Sequence, residues 1–441
     1  MYRSVQFTTL LFAALVLFAS SSAFAYKVRT TSGGTPLRWP AGTVDVVVAL
    51  DRGPANVNVL DAQAAAVMAF SMYTDTLHTM APDVVLSLAM TDDRMTEGND
   101  GKNVVRWVMH DWAEYYDPGA LAVTLTSYDS YTGRITDADI VVNAAEYPWE
   151  ASSDPAACTN AYDLQNVLTH EVGHVLGLGH EQGDTDATMY PSSGMCETKK
   201  RDLDADDDAG LARLYVDTVA PSPTDGAAAL GCAVGGNGKD GMMIVILVAG
   251  AMLLGNRRPR ALVALALALT LGGLSASPAG ATTVRRLSLD EMSADAIVVV
   301  RAVVGGVAAQ RIGGHIYTDA TLAISECLKG SCGATMTVRQ LGGELDGYGV
   351  RVEGSAELTP GTEVVLLLRR RLDGAYAPLG MAQGAFRVER EPRRGEITTL
   401  VHGATALRLA APDGTQSPAS LERVTLDDIR ASIARTAPHN R

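Results

Sequence analysis

The eleven residues from His170 to His180, HEVGHVLGLGH, constrain this chain more than any other stretch, since they hold three of its eight histidines. His170 and His174 are four apart, so on a helix both rings leave from one face, a turn from each other. Glu171, beside the first, can address a water without itself binding a metal. Gly177 can end the helix in a left-handed conformation, which lets the chain turn back and present His180 as a third ligand. Three protein nitrogens leave a fourth tetrahedral position open, the arrangement that a catalytic Zn2+ requires. The competing reading is a surface helix that happens to carry histidines. It gives no reason for Glu171 and Gly177 to stand where they do.

The surrounding pattern alternates strands and helices. VDVVVAL (44–50) reads as a buried strand, and residues 56–73, Ala-rich and free of Gly and Pro, read as a helix. DVVLSLAM, NVVRWVM and ALAVTLTSY are further strands, and GRITDADIVVN (133–143) follows a turn-rich stretch. DLQNVLTHEVGHVLGL is helical as far as Gly177, and DLDADDDAGLARLY is a last helix with acidic residues in its first turn. The cluster Asp202, Asp204, Asp206, Asp207 and Asp208 could be read as a Ca2+ site. It lacks the Gly and closing Glu of a helix-loop-helix calcium loop, and a solvated helix N-terminus is the expectation. Cys158 and Cys196 bracket the histidine motif, and Cys327 and Cys332 lie close together in ECLKGSC. Sequence does not determine their connectivity. A Cys158–Cys196 bridge would tie the segment before the histidine helix to the loop that follows Pro191, and two free thiols are the alternative.

HEVGHVLGLGH resembles the extended zinc signature of the metzincin metalloproteases, and ATMYP (187–191) resembles their Met-turn. Within the metzincins the matrixins fit best, over roughly residues 36–215. The resemblance implies an α+β catalytic domain with a twisted mixed sheet, an active-site helix and a C-terminal helix. It implies that His170, His174 and His180 bind one Zn2+ and that Glu171 is the general base and later proton donor. Met189 would form a hydrophobic floor, and Tyr190 and Pro191 the substrate wall, with a protein or peptide as substrate. GRITDADIVVN resembles the edge strand that pairs with bound peptide, and DLDADDDAGLARLY the closing helix. The chain departs from the pattern in leaving no room for a pro-domain after the expected mature start, and no Cys-containing latency segment is seen. His110-Asp111, a fragment of a structural-zinc pattern, is expected to be a solvated pair at a strand end. A zinc-stabilised binding or adhesion module that is not catalytic is the alternative, and the presence of Glu171 weighs against it.

The flanks suggest export. Arg3, the apolar run Leu10–Phe18 and Ala23-Phe24-Ala25 read as a signal peptide over 1–25, placing the mature chain where disulfides persist. The catalytic domain then spans 26–218, followed by a Pro/Gly/Ala-rich linker, 219–240, that carries Cys232. Two charge-free apolar segments around an Arg loop occupy 241–281, and each is shorter than the roughly 20 residues of a comfortable span. The first resembles a myxobacterial-type C-terminal sorting tag, with Cys232 a candidate for lipidation or processing. The second reads as another export signal ending in Ala279-Gly280-Ala281. A membrane hairpin through 241–276, or cleavage at this joint, is expected, which makes the product extracellular or surface-anchored.

Residues 282–441 are Gly-punctuated apolar runs that predict a small β-barrel or sandwich. Their opening bears a faint resemblance to netrin-like metalloprotease-inhibitor modules. This tail is expected to bind the protease domain or a surface partner. Residues 26–240 carry 13 Lys+Arg against 32 Asp+Glu, a balance that excludes nucleic acid as a partner, since phosphates need a basic surface.

Overall fold

The computed structural model describes residues 26–77, 82–90, 97–181, 184–215, 284–285, 287–389, 399–402 and 424–437. The leader, the linker with Cys232 and the apolar segments of 241–281 lie outside them. Among the described residues no helix is long and apolar enough to cross a membrane.

The valine-rich strands form a mixed sheet. β1 (Thr43–Ala49) pairs in parallel with β2 (Asp83–Leu88) on one side and β3 (Asn103–Val108) on the other. β4 (Ala122–Asp129) runs antiparallel to β5 (Ile135–Asn143), and β5 closes the set by lying parallel to β3. β5 is buried at all but one position, as a strand covered on both faces and both edges must be. The expectation for GRITDADIVVN is therefore corrected: β5 is an interior strand, and the outer strand of this set is β4. The resemblance was carried by the segment's composition, which does not distinguish a hairpin's two arms.

Helix α1 (Val59–Leu77) packs Ala62, Ala65, Ala66, Ala69, Phe70 and Tyr73 into the core beside α2 (Leu164–Val175). The i, i+3, i+4, i+7 spacing puts these side chains on one stripe, four alanines followed by Phe70 and Tyr73. Asp163 caps α2 by accepting from Asn166 N at 2.8 Å, satisfying one of the orphan donors of the first turn. Every residue of α2 except Gln165 is buried, including three that can ionise. α3 (Ala205–Tyr215) closes the domain, with Leu211, Leu214 and Tyr215 in the core and Tyr215 Oη donating to Leu176 O at 2.7 Å.

The tail begins with α4 (Leu289–Asp295), held by a reciprocal Ser288/Glu291 capping box. β6 (Val298–Ile312) and β7 (His315–Lys329) form a long hairpin turned at Gly313-Gly314, both at positive φ. Its register shifts between Val304 and Val307, where Gly305-Gly306 tolerates the irregularity. β8 (Thr335–Leu341) follows β7, and Cys327 is bonded to Cys332. The short β9 (Gly343–Leu345) and β10 (Tyr348–Val352) leave this sheet. β11 (Glu363–Arg370) pairs with β6 and with β12 (Tyr376–Pro378), which in turn meets β8. The pairings thus run β6-β7-β8-β12-β11 and return to β6. β13 (Ala385–Glu389), β14 (Thr399–His402), β15 (Val424–Thr425) and helix α5 (Leu426–Thr436) complete the tail.

The two halves are not separate in the described residues. β10 pairs with β4, so one sheet runs β9-β10-β4-β5-β3-β1-β2. One apolar cluster contains Trp112, Tyr116, Val123 and Leu125 from the first half together with Val300, Leu322, Val338 and Leu366 from the tail. The sequence reading treats 282–441 as a domain of its own; the structure gives it a sheet and a core in common with residues 26–215.

Candidate functional site

Three imidazoles meet at the C-terminal end of α2. His170 and His174 project from one face of the helix. Gly177 then takes φ +94° and donates its N–H to His174 O at 3.0 Å, so the helix stops where a left-handed residue is tolerated. A Cβ here would lie 2.3 Å from Leu37 O, so both the angle and the space require glycine. Leu178–Gly179 next pairs with Lys27–Val28, and this short ladder aims His180 back at the helix.

The Nε2 atoms of His170 and His180 are 2.6 Å apart, those of His174 and His180 2.7 Å, and those of His170 and His174 3.1 Å. His170 Nδ1 lies 2.7 Å from Thr188 O and His174 Nδ1 2.9 Å from Leu178 O. A backbone carbonyl only accepts, so each of these Nδ1 atoms carries the proton and each Nε2 presents a bare lone pair. Two lone pairs face to face repel. A shared cation turns that repulsion into coordination, and carbonyls on the far ring nitrogens are the usual orienting partners of metal-bound histidines. Burial pushes all three imidazoles below the ordinary histidine value, and for His170 and His180 the neighbouring imidazoles add to the effect. The rings are therefore neutral near pH 7, as ligands must be. The donor set fits Zn2+, and among the described residues it is the one grouping of three or more metal-ligating side chains.

Glu171 is buried beside this point, and its Oε2 accepts from Thr124 Oγ1 at 2.7 Å. Met189 is buried against α2. A Cβ on Gly173, between the two helical histidines, would sit 2.2 Å from Met189 Sδ, so glycine lets the helix rest directly on the thioether. Tyr73 Oη reaches both Thr169 O at 2.9 Å and Met189 Sδ at 3.7 Å. Tyr190 is buried, with Lys199 and Lys200 near its ring face. Pro191 follows, and Lys200 Nζ, wholly buried, holds the next residue through Ser192 O at 2.6 Å. Desolvation lowers that ammonium to about 8. Cys158 and Cys196 are bonded, their Cα atoms 5.5 Å apart, and Cys196 N donates to Ala161 O at 2.8 Å.

One expectation needs amending at this site. The acidic cluster is not uniformly solvated, because Asp207 is buried and its Oδ2 accepts from Thr188 N at 3.3 Å and Asp204 N at 3.1 Å. It ties α3 to the turn beneath the rings, and desolvation raises it to about 6. Thr124 and Arg29 were not anticipated. Arg29 donates to His174 O at 2.8 Å and to Thr126 Oγ1 at 2.7 Å, and pairs with Glu353 of the tail at 2.7 Å. No local spacing announces contacts made across such separations. His110 and Asp111 are both solvent-exposed at a strand end, as expected.

A catalytic-type three-histidine centre on a helix, closed by a methionine turn, defines a recognisable class, and residues 108–216 match the family model for Matrixin. Among characterised proteins, the chain is 32% identical over 181 residues to Metalloendoproteinase 1 of Glycine max, covering 40% of this chain and 52% of that protein. It is 54% identical over 98 residues to Metalloendoproteinase 1-MMP of Arabidopsis thaliana, covering 22% and 25% of the two chains. It is 45% identical over 49 residues to Matrilysin of Homo sapiens, covering 11% and 18%. The chain thus spans about half the length, or less, of these relatives.

Proposed function

We propose that this chain is a zinc-dependent endopeptidase that hydrolyses peptide bonds in proteins. The observation that carries the reading is the convergence of three buried imidazole Nε2 atoms with Glu171, whose carboxylate accepts from Thr124. When bound, Zn2+ supplies a Lewis acid and lowers the pKa of a coordinated water. His170, His174 and His180 would hold it. Glu171 takes the proton from the attacking water and returns it to the leaving amine, and the Thr124 hydroxyl keeps Oε2 in place. Met189 and the Tyr190-Pro191 segment line the site.

The test is Glu171→Gln. It should retain one Zn2+ per chain by metal analysis while cleavage of a casein or quenched-peptide substrate falls by roughly 10²–10⁴-fold, the usual worth of general acid–base transfer. Full activity in a zinc-loaded Glu171→Gln protein would remove the assignment.

The reading extends to location. Arg3, the apolar leader and the AFA sequence support export, and the charge-free segments around Arg257, Arg258 and Arg260 support a surface anchor or a processing point. Mass spectrometry of fractionated cells tests this, and a soluble, unmodified 26–441 species would end it.

A further inference from the structure

Of the two outer strands of the set β1 to β5, β4 is the one that reaches the histidine helix, since its Thr124 bonds Glu171. The opposite edge, β2, lies four strands away, roughly 19 Å at ordinary strand spacing. An extended peptide presented to this centre would add to β4, because main-chain pairing at a free edge is how a sheet holds a peptide of variable sequence.

In this chain the tail already holds that edge at both ends. β10 pairs antiparallel with it, from Tyr348 opposite Asp129 to Val352 opposite Leu125. At the other end Val284 bridges Ala120 antiparallel and Ser192 in parallel, donating its N–H to Pro191 O at 3.0 Å, while Arg285 N donates to Gly119 O at 2.7 Å. Val284 is therefore bridged on both sides, to Ala120 just before β4 and to Ser192 just after Pro191. Between these contacts Glu353, buried, meets Arg29, which itself holds His174 O. His170, Glu171, His174 and His180 are each 0% exposed.

We propose that the C-terminal β-rich tail is an intramolecular inhibitor, occupying the peptide-binding edge and wall of the metal centre, so that a protein substrate enters only when the tail is displaced or severed. The inference rests on the endopeptidase reading for its consequence, though the occlusion itself does not need catalysis. Two positions in the tail are suited to opening it without touching the centre. A Cβ on Gly349 would fall 2.2 Å from the Tyr128 ring, so Gly349→Val forces β10 away from β4. Val284→Pro removes the N–H given to Pro191 O.

The experiment uses the full zinc-loaded chain, verified as intact by mass, with and without both substitutions, and with folding checked by thermal melting. Cleavage of a quenched fluorescent peptide and binding of a peptide hydroxamate are measured on each form. The doubly substituted chain should gain at least ~10-fold in kcat/KM and in hydroxamate affinity, about 1.4 kcal/mol of released competition. If no form cleaves but only the substituted chain binds hydroxamate, the inhibitor stands and the endopeptidase reading falls. Equal cleavage and equal binding by both forms would overturn the proposal. Should the double variant fail to fold, hydrogen exchange of the native chain at Leu125–Asp129 decides the matter. Amides protected only as far as exposed loops would overturn it, and protection matching β5 supports it.

Discussion

At the scale of the residue, the site depends on where protons cannot go. Thr188 O and Leu178 O claim the Nδ1 protons of His170 and His174, which leaves the metal-facing nitrogens bare before any metal arrives. Thr124 acts on Glu171 in the opposite sense, its hydroxyl donating to Oε2. Thr124→Val keeps the shape and removes the donor, and a hydrogen bond to a charged acceptor is worth about 1.5–3 kcal/mol. In the tail-opened protein kcat should fall roughly tenfold with KM little changed, and Thr124→Ser, which restores the donor, should recover it. An unchanged kcat in Thr124→Val would show that Thr124 merely fills space. The histidines, Glu171 and Gly177 were legible because their meaning lies in spacing within one helix and the turn after it, and Met189 was singled out only by the resemblance of ATMYP to a Met-turn. Thr124, Asp207 and Arg29 were not, since strand or helix pairing brings each to the site from far along the chain.

At the scale of the element, the bridge between Cys158 and Cys196 joins positions 38 residues apart on either side of α2 and its turn. Closing a loop of that length contributes roughly 3–4 kcal/mol by restricting the unfolded chain. Cys158→Ser together with Cys196→Ser should therefore lower the denaturation midpoint by that equivalent, and a shift below ~1 kcal/mol would contradict the loop-entropy account. β5 carries a second testable feature. Asp137 and Asp139 both point into the turn before β3, accepting from Gly101 N at 2.7 Å and from Val104 N at 2.9 Å. Burial raises both carboxyls, and the Asp137 charge further raises Asp139. Because their folded values exceed the unfolded ones, the native state binds more protons. Their contribution is thus complete below about pH 4 and lost as pH rises through about 6 and about 9. Urea denaturation from pH 5 to pH 9 should show this decline, and Asp139→Asn should flatten it. Short apolar runs bounded by turn residues correctly marked β1 to β5 as strands, but such runs carry no information about order across a sheet. That is why β5 was mistaken for the outer strand.

At the scale of the whole molecule, the same missing information hid the relation between the halves. A charge balance and a linker suggested two modules, whereas the pairing of β10 with β4 and the mixed cluster around Trp112 and Tyr116 join them. Apolar side chains in that cluster are covered from the opposite half, so removal of the tail lays them bare to water. A chain cleaved between its halves and depleted of tail should bind a hydrophobic dye strongly and melt earlier than the intact protein; equal dye binding would show that the cluster is no true interface. If the tail is the proposed inhibitor, Trp112 and Tyr116 would act as a clock: the event that frees the metal centre would also strip residues 26–215 of part of their interior. The freed form's reach in time and distance would then be limited by its own folding stability.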